Sequence, residues 1–216
     1  MVERRREPQT WVGAALTAVA LVTAIRLGLL AYNRTDLFVD ESQYWLWGRN
    51  LAFGYFSKPP LIGWLIGAVT RLAGSDGPFW VRMPGALLHG ATAMILGALG
   101  ARLFGARVAF WVALSYVTTP LTTVGSLLIS TDTVMAPAYA TALWAWFRLA
   151  DSGARRFAVL AGAAAGVAFM AWVQIWETKP SGTGTAPNPV RVPPSETEAT
   201  AMPLRLKIAL NFSKAR

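Results

Sequence analysis

Between Trp11 and Tyr32 the chain carries one charged side chain, Arg26. A run of that length matches the roughly 20 helical residues needed to cross a bilayer core. Peptide groups in lipid must be satisfied within their own segment, so the run is a helix. It is preceded by Arg4, Arg5 and Arg6. A basic start before an apolar run also describes a signal peptide, but this run is longer than a typical h-region, and a retained first span is expected. Arg26 lies close enough to the far end of the span to reach the interface by snorkelling. Further apolar runs cover Phe79 to Phe104, Arg107 to about Leu128, Val134 to Leu149 and Phe157 to Ala171. Composition agrees. Residues are 54% hydrophobic and 14% charged, whereas a soluble domain has about a quarter charged, and the mean hydropathy is +0.41. The expectation is an all-α, polytopic transmembrane protein. Residues 1–10 form its cytoplasmic start, and 11–171 form a helical region of about five spans.

The net charge is +9. The basic residues flank apolar runs, as topology requires. No basic stripe alternates with base-stacking aromatics, which argues against a nucleic-acid partner. Cysteine is absent, which excludes a disulfide framework, a thiolate metal site and a cysteine nucleophile.

Residues 33–78 differ from the spans. They are mixed, aromatic and punctuated by Gly54, Pro59 and Pro60. Asp40 with Gln43 resembles a capping box, and Gly54 is placed to close the helix. Tyr44, Trp47 and Leu51 fall on one face of it. Leu61 to Leu72 reads as a second apolar helix, started by Pro59-Pro60 and too short to span. Both are expected to lie on or dip into the membrane surface, with Trp64 suited to the boundary. Strict alternation of spans puts Arg4–Arg6, the Arg102/Arg107 connection and the Arg148–Arg156 connection on one side, as the positive-inside rule requires. Asp40, Glu41, Lys58 and Asp132 then share the opposite, extracytoplasmic side. Arg34, Arg49 and Arg71 make the bias imperfect.

Three stretches carry a resemblance. The first runs Val39-Asp40-Glu41-Ser42-Gln43-Tyr44-Trp45-Leu46-Trp47 and resumes as Gly54-Tyr55-Phe56-Ser57-Lys58-Pro59-Pro60-Leu61. The second is Trp80-Val81-Arg82-Met83-Pro84-Gly85-Ala86-Leu87. The third is Ser130-Thr131-Asp132. In order and spacing they resemble the polyprenyl-phosphate-sugar-dependent glycosyltransferases of the GT-C fold. The subgroup is that of the bacterial aminoarabinose (lipid A) transferases and glycosyltransferase family 39, with protein O-mannosyltransferases as more distant cousins. The resemblance implies a sugar moved from a polyprenyl-phosphate donor to a lipid, glycan or protein acceptor. It also implies a bacterial cytoplasmic membrane with the site facing the periplasm. Sugar and acceptor stay open.

Such a transfer needs a carboxylate to take the acceptor's proton, cations or a metal at the leaving phosphate, and a groove for the donor's lipid. By position Asp40 is a helix N-cap, with Glu41 in an acidic first turn. The resemblance adds a catalytic role for the pair, with Asp40 as general base. Lys58, in an extended turn before two prolines, is a solvated lysine by position and a donor-phosphate ligand by resemblance. Arg82 is an interfacial anchor or, with its guanidinium fork, a second phosphate ligand. Asp132 caps the next span or, by resemblance, helps to hold a divalent metal cation. Tyr44, Trp45, Trp47 and Tyr55 are candidates for the lipid groove or for belt anchors. His89, alone within a span, reads as a hydrogen-bonded packing residue.

A transporter or flippase is the competing class, but it would place ionisable groups mid-membrane at broken helices. A non-catalytic remnant of a transferase is a third reading. From Trp172 the pattern fails, and residues 172–216 are rich in Pro, Thr, Ser and Glu. The composition predicts a disordered tail, and such a truncated chain is expected to transfer no sugar alone.

Overall fold

The computed structural model describes residues 6–55 and 58–172. The tail expected to be disordered therefore lies outside the described residues, apart from Trp172. Every regular element described is an α-helix: α1 (Arg6–Tyr32), α2 (Val39–Arg49), α3 (Leu61–Ala73), α4 (Pro78–Phe104), α5 (Ala106–Thr118), α6 (Pro120–Gly125), α7 (Thr131–Ser152) and α8 (Arg155–Trp172).

Two helices, Thr10–Tyr32 of α1 and Pro78–Phe104, are both long and apolar enough to cross a bilayer. On α1, Leu16, Leu21, Ile25 and Leu29 are all more than half exposed. Apolar stripes of that extent are not left facing water. The molecule is an all-α membrane protein. A five-span reading further requires α5 with α6, α7 and α8 each to cross.

Small residues on α4 set the packing. A methyl group added at Gly97 would lie 3.2 Å from the Ala109 carbonyl oxygen, and one at Gly90 would lie 2.8 Å from Thr23 Oγ1. Close approach of this kind replaces the missing hydrophobic drive between helices in lipid. Ala15, Val19, Ala93, Ala113 and Val117 form the resulting core of α1, α4 and α5.

The third apolar run is broken, contrary to the continuous span expected from Arg107 to Leu128. Thr119 is extended (φ −58°, ψ 133°), and Pro120 starts a new helix. Proline's ring disfavours helical backbone in the residue before it. The break leaves carbonyls at the end of α5 without helical partners. Arg26 takes one of them, donating through Nη2 to the Val117 carbonyl and, at 3.2 Å, to Thr123 Oγ1. Arg26 is thus buried, and the snorkelling expected of it does not occur.

Between α1 and α4 in chain order, α2 and α3 form a tight pair. Gly48 and Gly67 let the two backbones touch: a methyl group on Gly48 would lie 2.8 Å from Gly67 N. The ring of Tyr55 stacks on Trp47 at 4.7 Å, and its hydroxyl donates to the Trp47 carbonyl. α2 ends at Arg49, before the expected Gly54, because Asn50 leaves helical geometry and the chain turns back toward α3. α3 ends at Gly74, whose φ of +63° suits a residue without Cβ. Beneath the pair, Tyr44, Ile62, Ile66, Val81, Ile129 and Val134 make a second core joining α2, α3, α4 and α7.

Candidate functional site

Asp40 and Glu41 begin α2, and their fates differ. The N-cap is Phe38, not Asp40, and the capping side chain is Glu41 in place of Gln43. Glu41 Oε2 accepts the Phe38 N–H at 3.0 Å. The Glu41 carboxylate is buried, with 3% of its side chain exposed, and pairs with Arg82, which has 1% exposed. Arg82 Nε lies 3.0 Å from Oε1, and Nη2 lies 2.7 Å from Oε2. Arg82 Nη1 donates to the Thr35 carbonyl and to Thr35 Oγ1, and Nη2 also donates to the Asp36 carbonyl. A guanidinium has five N–H groups, and these contacts engage them all. Glu41 Oε1 further accepts the Ile129 N–H at 3.2 Å. The phosphate ligand and second catalytic acid expected from the sequence are thus found bound to each other inside the protein.

Asp40 is exposed. One residue later on a helix turns the side chain by about 100°, so Asp40 points away where Glu41 points in. Asp132 is also exposed, in the first turn of α7. It is not the cap of that helix. Ser130 is, its Oγ accepting the Thr133 N–H at 3.3 Å. Tyr44, one turn along α2 from Asp40, is buried. Burial, then the charges of Asp40 and Asp132, push its phenol above the usual value of 10.0.

Lys58 is half-buried just before the buried Pro59 and Pro60, and its carbonyl accepts the Tyr55 N–H at 3.2 Å. Its ammonium forms no ion pair with any described residue. Among the expected groove aromatics, Tyr44 lies in the core, and Trp47 and Tyr55 stack on each other. Trp45 donates to Asp76 Oδ1 at 3.1 Å and lies under Arg49. Among the described residues no three His, Asp or Glu groups cluster as metal ligands. Asp40 and Asp132 alone fall short of a protein-built metal site.

Contacts place Asp40, Glu41, Arg82 and Asp132 at one end of the bundle. Arg82 in the first turns of α4 holds the segment leaving α1, and Glu41 holds the turn leading into α7. Sequence reasoning missed Thr35, Ile129 and this linkage, because backbone partners leave no residue-type signal. His89 matches its expected packing role: Nδ1 is 3.0 Å from the Tyr116 hydroxyl, and Nε2 is 3.4 Å from Thr133 Oγ1.

Fold and site together define a helical membrane protein with exposed carboxylates gathered at one end of its bundle. The chain belongs to the dolichyl-phosphate-mannose-protein mannosyltransferase family of GT-C glycosyltransferases, whose model matches residues 57–175. That match includes Lys58, Arg82 and Asp132, while Asp40 and Glu41 precede it. The chain is also 37% identical over 169 residues to the lipid A galacturonosyltransferase RgtD of Rhizobium johnstonii (strain DSM 114642 / LMG 32736 / 3841). The alignment covers 78% of this chain and 36% of that relative. The chain thus spans little more than a third of the curated relative it matches. No solved structure gives a significant match.

Proposed function

We propose that this end of the bundle serves transfer of a sugar from a polyprenyl-phosphate donor to a lipid, glycan or protein hydroxyl on the periplasmic side of a bacterial inner membrane. The observation carrying the reading is an exposed carboxylate, Asp40, whose neighbour Glu41 bonds the turn leading to the exposed Asp132, within a chain of GT-C family membership. The acceptor oxygen attacks the sugar's anomeric carbon, the bond from that carbon to the phosphate oxygen breaks, and the acceptor's proton passes to Asp40. The ammonium of Lys58, without an ion pair among the described residues, holds the departing phosphate as a compact point charge. Asp132 keeps the site acidic. A divalent cation, when bound there, would neutralise phosphate charge and draw most of its ligands from phosphate and water. The relative's name favours lipid A among the acceptors.

Binding is tested on the purified chain in lipid nanodiscs, by quenching of tryptophan fluorescence on addition of a polyprenyl phosphate. Lys58→Ala is expected to weaken binding by about tenfold, the scale of one charge-assisted contact. Unchanged affinity would remove Lys58 from the site, and no binding by the unaltered chain would sink the donor assignment. Transfer itself is tested in a chimera in which this chain replaces the matching segment of the rhizobial relative.

A further inference from the structure

Glu41 and Arg82 meet inside the protein, yet four separate segments end on them. The segment after α1 contributes the Thr35 and Asp36 carbonyls. The start of α2 contributes the Phe38 N–H and Glu41 itself. α4 contributes Arg82, and the turn before α7 contributes the Ile129 N–H. Asp40 is the residue before Glu41, and Asp132 lies three residues after Ile129. Both exposed acids therefore hang from segments that one carboxylate ties together.

A buried ion pair adds little net stability, because both charges lose their water. What it supplies is geometry. A bidentate fork fixes direction as well as distance, and a carboxylate with several donors has few places to go. From this we infer that Glu41–Arg82 is a positioning pair that holds Asp40 and Asp132 in register across the mouth of the bundle, touching neither donor nor acceptor. The inference rests on the transferase reading for its purpose, not for its geometry.

Lysine in place of Arg82 keeps the charge but cannot reach Glu41, Thr35 and Asp36 at once. Glutamine in place of Glu41 keeps one acceptor oxygen and loses the charge. Removing both charges together, as Glu41→Gln/Arg82→Met, leaves no uncompensated buried ion, so thermal stability recovers while the ties stay cut. A role in stability alone predicts that the two recover together.

The test uses the full chain in nanodiscs. Cysteine is absent from it, so spin labels go uniquely on Gln43→Cys and Leu121→Cys, with Leu21→Cys and Leu87→Cys as a control pair. All four positions are exposed. In Glu41→Gln and Arg82→Lys the Gln43–Leu121 distance distribution should broaden while the control stays narrow. Amide exchange over 33–38 and 126–131 should rise about tenfold, the loss expected of a charge-assisted hydrogen bond. Affinity for a polyprenyl phosphate should stay within about twofold of the unaltered chain. In the double variant the melting temperature should return and the exchange should not. Should either single variant fail to insert, Thr35→Val removes only one Arg82 contact, and exchange over 33–38 should still rise. A tenfold loss of phosphate binding in Arg82→Lys with a narrow distance would make Arg82 a ligand and overturn the inference. So would unchanged exchange and distances, broadening of both label pairs, or joint recovery in the double variant. If the unaltered chain binds no polyprenyl phosphate, the donor assignment falls, and the distance and exchange results still decide the pair.

Discussion

Asp40 and Glu41 are neighbours of one chemical type, and only their direction separates them. Glu41 faces Arg82 and the backbone N–H groups of Phe38 and Ile129, so its charge is consumed by the fold. Asp40 faces outward and stays exposed. In the chimera, Asp40→Asn should lower turnover by about 10²- to 10⁴-fold, the usual contribution of a general base, with insertion intact. Near-normal turnover would reduce Asp40 to a first-turn acid that favours the helix dipole. The phenol of Tyr44 offers a pH test of the same face. Its pKa is raised in the folded state, by burial and then by Asp40 and Asp132. Stability linked to Tyr44 is therefore complete below the usual phenol pKa and lost as pH rises through the raised value. Absorbance titration of a variant with the other tyrosines changed to Phe should show ionisation above the usual range, and Asp132→Asn should bring it down. No movement on that substitution would separate Asp132 from the site. The motif around these residues is legible in the sequence. Which of two adjacent acids is free is not, because helical phase relative to α4 depends on where α4 packs.

Among the elements, the α2–α3 pair depends most on absent side chains. Gly48 and Gly67 face each other so closely that a methyl group on Gly67 would collide with the Gly48 carbonyl. Gly67→Ala should cost about 1–3 kcal/mol through forced separation. Gly162→Ala, where nothing lies within 4 Å, should be neutral or slightly stabilising, since alanine is the better helix former. Thermal unfolding in detergent distinguishes them, and equal melting temperatures would mean that the pair tolerates separation. The sequence shows these helices, their prolines and their aromatics, but nothing local says that two glycines 19 residues apart in different elements will meet. The break at Thr119–Pro120 has a local cause that the hydropathy of the run conceals. Arg26 is a long-range answer to it, reaching the end of α5 from α1.

For the whole molecule, the charge pattern predicts sides. The short arginine-rich connections around Arg102–Arg107 and Arg148–Arg156 lie at the opposite ends of their helices from the Asp40 face. With Ser75→Cys and Ser152→Cys, a membrane-impermeant thiol reagent should label the first from the periplasm and the second only after the membrane is opened. Labelling of both from one side would end the shared-face reading, because Asp132 would then not face the same compartment as Asp40 and Lys58.

Hydropathy alone established the membrane, the helices and the approximate limits of α1, α4 and α7, because lipid demands that each segment satisfy its own backbone. Residue order alone carried the family, since Asp40, Lys58, Arg82 and Asp132 stand at recognisable spacings. The tertiary structure decided what each charge does. Arg82 and Glu41 are far apart in sequence and saturate one another, Asp40 and Asp132 stay exposed, and Arg26 turns inward to a broken helix. Those outcomes follow from which buried groups lack partners once the helices pack, and partners are assigned by three-dimensional proximity rather than by any local pattern.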